Sequence, residues 1–415
     1  MSEQRLNTTI LQYYGFMATD SVGFIWPIFT LFLLWNDLSY TEIGLLSAVS
    51  AVLVVGLEVP TGHVADLVGR RNALLVGLVA MTASLLGFVV ADSFWHFVVL
   101  YSLWSIAMAF HSGTADAWLY DTLRESLRED EFTRVRGRGG AVYEWASACT
   151  MIVGGFLYVV SPTYPFVASA VLHALGIGVV ASMPRNARYR GGDTDARDIR
   201  TSLSVVRTAL LSTQLRVFVC FVACFFAVVQ ATDTYIQPIT ESVIAEVLES
   251  VTLAGHAVPE PALLGVLYAS FAVVGAVASD NAGAVRDRLG FRTALVWIPI
   301  GVSVALVAPS FVALLAIPVF ILVKGSYALS KPLATQYVND HTGSVNRATV
   351  LSATSMTFAV VRAPLKPMAG FVADTTSPLS TVALLGIAFL LVAVVLAVRA
   401  RPVVAPPPAR SSTES

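Results

Sequence analysis

Lysine is nearly absent from this 415-residue chain: Lys324, Lys331 and Lys366 are the only three, and none precedes them. Charged residues of every kind make up 13% against 56% apolar, where soluble domains carry about 25% charged residues. That shortage excludes a water-soluble fold of this length, which would lack the polar surface to cover itself. Cysteine is equally scarce, with three residues, all in apolar runs. Cys220 and Cys224 stand one helical turn apart and read as small apolar wall residues in preference to a redox or metal pair. Short segments alternating between apolar and polar residues, the mark of a transmembrane β-barrel, are missing. So are His-Glu-x-x-His, phosphate-loop and Gly-x-Ser-x-Gly runs, which leaves no basis for a membrane enzyme or an ATP-driven pump and no expectation of a cofactor or metal. No polar stretch is long enough to be the sensing domain of a receptor.

What is present is apolar sequence in long blocks. Stretches of about 20 residues, each able to cross roughly 30 Å of hydrocarbon, recur twelve times. They centre near Val22, Val52, Val79, Ala107, Cys149, Leu172, Phe225, Phe271, Ile300, Leu322, Thr357 and Phe389. The first begins near Thr9 and contains Asp20 instead of ending at a small-residue cleavage site, so no cleavable signal peptide is expected. After even-numbered spans the loops are rich in arginine, including Arg70, Arg71, Arg124, Arg128, Arg134, Arg185, Arg286, Arg292 and Arg347. The opposite loops carry Asp37, Glu42, Asp92, Glu241 and Glu260 with no lysine or arginine. By the positive-inside rule both termini are expected in the cytoplasm, with the chain crossing the cell membrane.

The chain turns polar between spans 6 and 7. That divides it into an N-terminal six-helix bundle (residues 1–183), a cytoplasmic linker (184–215), a C-terminal six-helix bundle (216–400) and a proline- and serine-rich tail (401–415) expected to be disordered. Within the linker Ile199, Leu203, Val206 and Leu210 recur at helical spacing, the pattern of an amphipathic helix on the inner membrane surface, though a solvated linker fits equally. The halves look like diverged copies. Ala18-Thr19-Asp20-Ser21 matches Ala231-Thr232-Asp233-Thr234, each followed by Pro-Ile at Pro27 and Pro238, and Ile43-Gly44-Leu45-Leu46 matches Leu264-Gly265-Val266-Leu267. Such repeats suit two similar bundles that rock about a site near the membrane midplane.

A further repeat lies in the loops. Gly62-His-Val-Ala-Asp66-Leu-Val-Gly69-Arg70-Arg71 returns weakly as Gly283-Ala-Val-Arg-Asp287-Arg-Leu-Gly290-Phe-Arg292. Asp66 at the edge of hydrocarbon needs a partner, and Arg70, Arg71 or a helix amino terminus is at hand. The pattern resembles the loop between helices 2 and 3 of the major facilitator superfamily, with a fainter counterpart between helices 8 and 9. The resemblance implies an all-α integral membrane protein with twelve transmembrane helices in two pseudo-symmetric six-helix bundles, acting as a secondary transporter and not as an enzyme. It also implies a gating role for Gly62, Asp66, Gly69, Arg70, Asp287 and Gly290. The signatures of many proton-driven drug exporters are absent: no arginine lies between Trp95 and Asp121, and no proline precedes Gly154-Gly155.

Ionisable groups inside apolar spans cost about 2.5 to 3.5 kcal/mol each on insertion scales and are functional candidates for that reason. Asp20 is the first candidate for proton coupling, with Asp233 second and Glu144 third. A lone intramembrane His111 or His173 reads more readily as hydrogen-bonded structure than as a relay. Lys324, Arg362 and Lys366 are candidates to bind an anionic group or to pair with the acids, and Tyr235 and Trp26 offer aromatic faces to a solute. The expected activity is proton-coupled export of a small organic solute by alternating access, with proton-coupled uptake of a small organic anion as the alternative. Expected partners are the solute, protons and the lipid bilayer, with no nucleic acid and a monomeric state.

Overall fold

The computed structural model describes residues 3–185, 213–247, 252–253, 256–257, 259–342 and 347–399. The linker's helical pattern at Ile199 to Leu210 and the tail after residue 400 lie outside the described residues. Those described are almost entirely helical. The described strands form one antiparallel ladder of two residues each, in which Thr252 faces Ala257 and Leu253 faces His256.

Eight helices cover the first six spans. They are α1 (Glu3–Thr19), α2 (Phe29–Trp35), α3 (Tyr40–Val68), α4 (Arg70–Phe88), α5 (Phe94–His111), α6 (Thr114–Glu125), α7 (Phe132–Val160) and α8 (Tyr164–Ser182). The second half holds α9 (Thr213–Val247), α10 (Glu260–Asp280), α11 (Ala282–Arg292), α12 (Ile298–Ala305), α13 (Ala316–Asp340), α14 (Arg347–Thr375) and α15 (Pro378–Arg399). A turn of π-helix, Thr293–Trp297, joins α11 to α12. Among the described residues ten helical stretches are long and apolar enough to cross a bilayer. The two remaining spans of the expected twelve are span 1, interrupted between Thr19 and Phe29, and span 11, which carries Arg362, Lys366, Pro364 and Pro367. The fold is the all-helical architecture expected from the sequence.

Two helix breaks shape the first unit's polar interior. Span 1 leaves helical geometry after Thr19, so Asp20 stands at the end of α1. Span 4 breaks at Ser112-Gly113, where Gly113 is left-handed with φ +70°, so His111 ends α5. Non-helical backbone at membrane depth persists only where protein or a water-filled cavity satisfies it. Span 7, the copy of span 1, has no such break: α9 runs through Asp233 and carries Pro238 inside it.

Packing divides the chain into two compact units along lines other than those of the sequence halves. Among the described residues, the first contains 3–185 together with those between 233 and 273 and 363–381; the second contains 213–232, those between 274 and 362, and 382–399. Within the first, a core of Phe32, Phe88, Phe97 and Phe166 ties α2, α4, α5 and α8 together, with Phe29 and Trp104 packed against it. A second cluster, centred on Trp118, Tyr13 and Phe16, joins α1 to α6. In the second unit Phe221 and Phe225 of α9 pack on Phe389 of α15.

Candidate functional site

The breaks in spans 1 and 4 bring Asp20 and His111 together. The carboxylate Oδ1 lies 2.9 Å from His111 Nδ1, and the two side chains are 22% and 10% exposed. The residue pairing with Asp20 is therefore a histidine, which can gain and lose a proton, in place of the lysine or arginine that would fix its charge. His111 Nε2 is buried with no hydrogen-bond partner among the described residues. The edge of Phe16 meets the imidazole at 5.9 Å, which confines the ring. His173 of α8 is buried nearby and feels the charges of Asp20 and His111. Its Nδ1 donates to the Ser169 carbonyl at 2.8 Å, and its Nε2 is also buried without a partner among the described residues. Next to Asp20, the Ser21 hydroxyl lies 2.9 Å from that of Ser147 on α7 and accepts from the Gly23 N–H at 3.1 Å. These bonds hold the interrupted stretch of span 1 against α7.

The other acids expected to handle protons lie on other helices. Glu144 is on the exposed side of α7. Asp233 lies on α9 within electrostatic reach of Tyr268 of α10.

The loop motif forms as its residues suggest. Arg70 lies 3.2 Å from Asp66 and 3.4 Å from Asp121, so it ties the α3–α4 turn to α6. Arg71 takes another direction and donates to the Val180 carbonyl at 3.0 Å, closing the end of α8. Gly69 has φ +90° and Gly290 φ +78°, a conformation that side chains with a Cβ resist, so the second glycine of each copy makes the same turn. The second copy pairs differently: Asp287 lies 2.7 Å from its neighbour Arg286, which also donates to Gln336 Oε1 at 2.6 Å. Gly62 is exposed, with open space where a side chain would stand.

The expected solute contacts divide between the units. Lys324 and Arg362 belong to the second, whereas Lys366, Tyr235 and Trp26 belong to the first. Tyr235 is 1% exposed and packs 5.6 Å from Tyr40, and the Trp26 carbonyl accepts from Gln237 Nε2 at 2.8 Å. Gln237 also receives the Thr30 N–H on its Oε1 at 2.7 Å and lies 3.2 Å from the Tyr268 hydroxyl. Sequence reasoning passed over Gln237 and Gln230, since neutral amides in apolar runs carry no charge signal. It also passed over Asp374, two of whose three partners are backbone N–H groups that no residue type advertises.

The family model described as Major Facilitator Superfamily matches residues 13–365. An uncharacterized MFS-type transporter of Bacillus subtilis, YxaM, is 24% identical over 236 residues, which cover 54% of this chain and 57% of that protein. Another from the same organism, YhjO, is 25% identical over 39% of each chain. This chain therefore matches 57% of the length of the first of those curated relatives and 39% of the second. Among solved structures a point mutant of the nucleoside transporter NupG superposes with a TM-score of 0.81 at 12% identity, covering 94% of this chain and 99% of that one. A D-xylose-proton symporter superposes at 0.68 with 11% identity, covering 93% and 97%. At those identities the likeness shows the fold.

Proposed function

The chain belongs to the major facilitator superfamily, and from that premise we propose that it is a proton-coupled secondary transporter of a small organic solute, working by alternating access, with Asp20 and His111 as the proton-handling pair. The observation that carries the reading is their 2.9 Å contact at two helix breaks. A carboxylate in hydrocarbon is costly when charged and unpaired. Here the partner is titratable, so one proton can reside on either group, and its arrival or departure changes whether the pair holds the two breaks together. Such a change of charge is what a bistable helix arrangement needs to be biased toward one side of the membrane. The proton-symporting neighbour is consistent with this coupling. The arginine-rich loops support cytoplasmic termini, and we read the protein as monomeric, in the cell membrane, with export as the direction to test first.

The test is solute-driven proton movement. The purified protein is reconstituted into liposomes with a pH-sensitive dye inside and challenged with a panel of nucleosides, sugars, peptides and organic acids. The expected result is a pH change for at least one solute, lost in Asp20→Asn and accompanied by uncoupled solute exchange. Solute flux that ignores a pH gradient, or full coupling in Asp20→Asn, would overturn the reading.

A further inference from the structure

In the second unit, α9 and α14 face one another in two matched layers. Phe226 and Gln230 are four residues apart on α9, and Phe358 and Arg362 are four apart on α14, so each helix presents an aromatic ring and, one turn or about 5.4 Å along, a polar group. The layers meet. Phe226 packs against Phe358 with ring centroids 5.2 Å apart and edge-on, and against Tyr327 of α13 at 4.9 Å. One turn away the Arg362 guanidinium donates through Nη1 to Gln230 Oε1. Tyr327 is the phenol whose electrostatics Arg362 feels.

The polar layer consists of donors. A guanidinium carries five N–H groups, and a hydrogen bond to Gln230 is the one Arg362 makes among the described residues; no carboxylate there lies within ion-pair distance of it. Gln230 spends its oxygen on the arginine, and the N–H groups of its amide are further donors in the same layer. A neutral amide does not offset the positive charge, and isolated charge inside a membrane protein is expensive. Arg362, Gln230, Tyr327 and Phe358 are all half-buried, whereas Phe226 is buried.

We infer that Arg362 and Gln230 form an anion subsite for the carboxylate of a small organic acid, with Tyr327 and Phe358 receiving a flat apolar body joined to that carboxylate. The planar fork of arginine matches a carboxylate with two parallel hydrogen bonds, which a lysine cannot reproduce. The separation of the layers by a single helical turn sets the distance between acid group and ring. The inference rests on the reading of the chain as a transporter of small organic solutes, and it specifies the class of solute.

The experiment is equilibrium binding to the full-length purified protein in detergent, read as the shift of its unfolding midpoint. The probes are benzoate, phenylacetate and cinnamate, with their neutral amides and sodium sulfate as controls at constant ionic strength. At least one carboxylate should raise the midpoint saturably, while its amide and sulfate do not. Arg362→Gln should abolish the shift, Arg362→Lys should weaken binding at least tenfold, and Gln230→Leu should weaken it while leaving the unliganded protein folded. The readout is ligand binding and not proton movement, so its failure leaves the Asp20 and His111 reading to the liposome assay, and the two failures are distinguishable. No shift with any carboxylate, equal shifts with the amides, equal shifts with sulfate, or a shift that survives in Arg362→Gln would each overturn the inference.

Discussion

Asp374, at the far end of α14, accepts hydrogen bonds from the backbone N–H groups of Tyr40 and Thr41 at 2.8 and 2.9 Å, and from the Thr41 hydroxyl at 2.6 Å. One carboxylate thereby caps a helix that begins more than three hundred positions earlier. The first turn of α3 has unsatisfied N–H groups and a partial positive charge. Ser39 and Glu42 satisfy part of it in a capping box. Asp374 supplies the rest from another helix, within the first compact unit and at the arginine-poor end of the spans.

Removing that carboxylate should loosen this end. Hydrogen bonds to a charged acceptor contribute about 1.5 to 3 kcal/mol, and breaking the set in Asp374→Ala should shift an open–closed equilibrium by roughly tenfold to a hundredfold. The check is the rate at which a cysteine introduced at Thr41 reacts with a membrane-impermeant maleimide. It should rise in Asp374→Ala and stay low in the parent; an unchanged rate would show that the cap does not hold this end shut.

The same contact depends on a glycine. A Cβ built on Gly370 of α14 would stand 2.2 Å from the Tyr40 carbonyl oxygen, and backbone cannot yield as a side chain can. Gly370→Val should therefore favour the separated arrangement more strongly than Asp374→Ala, with transport lost although the protein inserts at normal abundance. Wild-type transport in Gly370→Val would mean that the close approach is not required for the cycle.

Much of the helical architecture was legible in the sequence for a simple reason: hydrocarbon forces backbone into helices, so run length suffices to read them. The repeat of the second glycine was visible in the sequence, and the structure supplies its reason, a positive φ at both Gly69 and Gly290. The site was less so. Asp20 stood out as a charge in an apolar run, but His111 is separated from it by 91 positions, and nothing in the spacing announces that two helix breaks meet. The Asp20 and Asp233 motifs match in sequence, yet span 1 breaks at its acid, whereas α9 runs on through Asp233 and Pro238. Lys366 stands one turn along α14 from Arg362, across the boundary between the two compact units.

Arg70 bridges two acids, and the two bridges differ. Asp66 is 61% exposed and Asp121 27%, so the Asp66 pair lies in water and contributes at most about 1 kcal/mol to stability. The Asp121 contact, which joins α4 to α6, is the stronger tie between helices. Asp121→Asn is expected to impair transport at least as much as Asp66→Asn, with both variants inserted at wild-type levels. Transport in Asp121→Asn at the wild-type rate, alongside a defect in Asp66→Asn, would assign the latch to the loop alone.

Asp20 and His111 should behave as one unit. If the proton that couples transport resides on the pair, removing either member destroys the same device, and removing the second has nothing further to destroy. Asp20→Asn and His111→Gln are each expected to lower solute-driven proton movement at least tenfold, and the double variant should be no slower than the worse single one. Glutamine at position 111 can still donate a hydrogen bond to the carboxylate, so a defect in His111→Gln isolates loss of titration from loss of the contact. Independent groups would instead give losses that multiply. A double variant slower by the product of the two single effects would show that the 2.9 Å contact is structural and that the proton travels elsewhere.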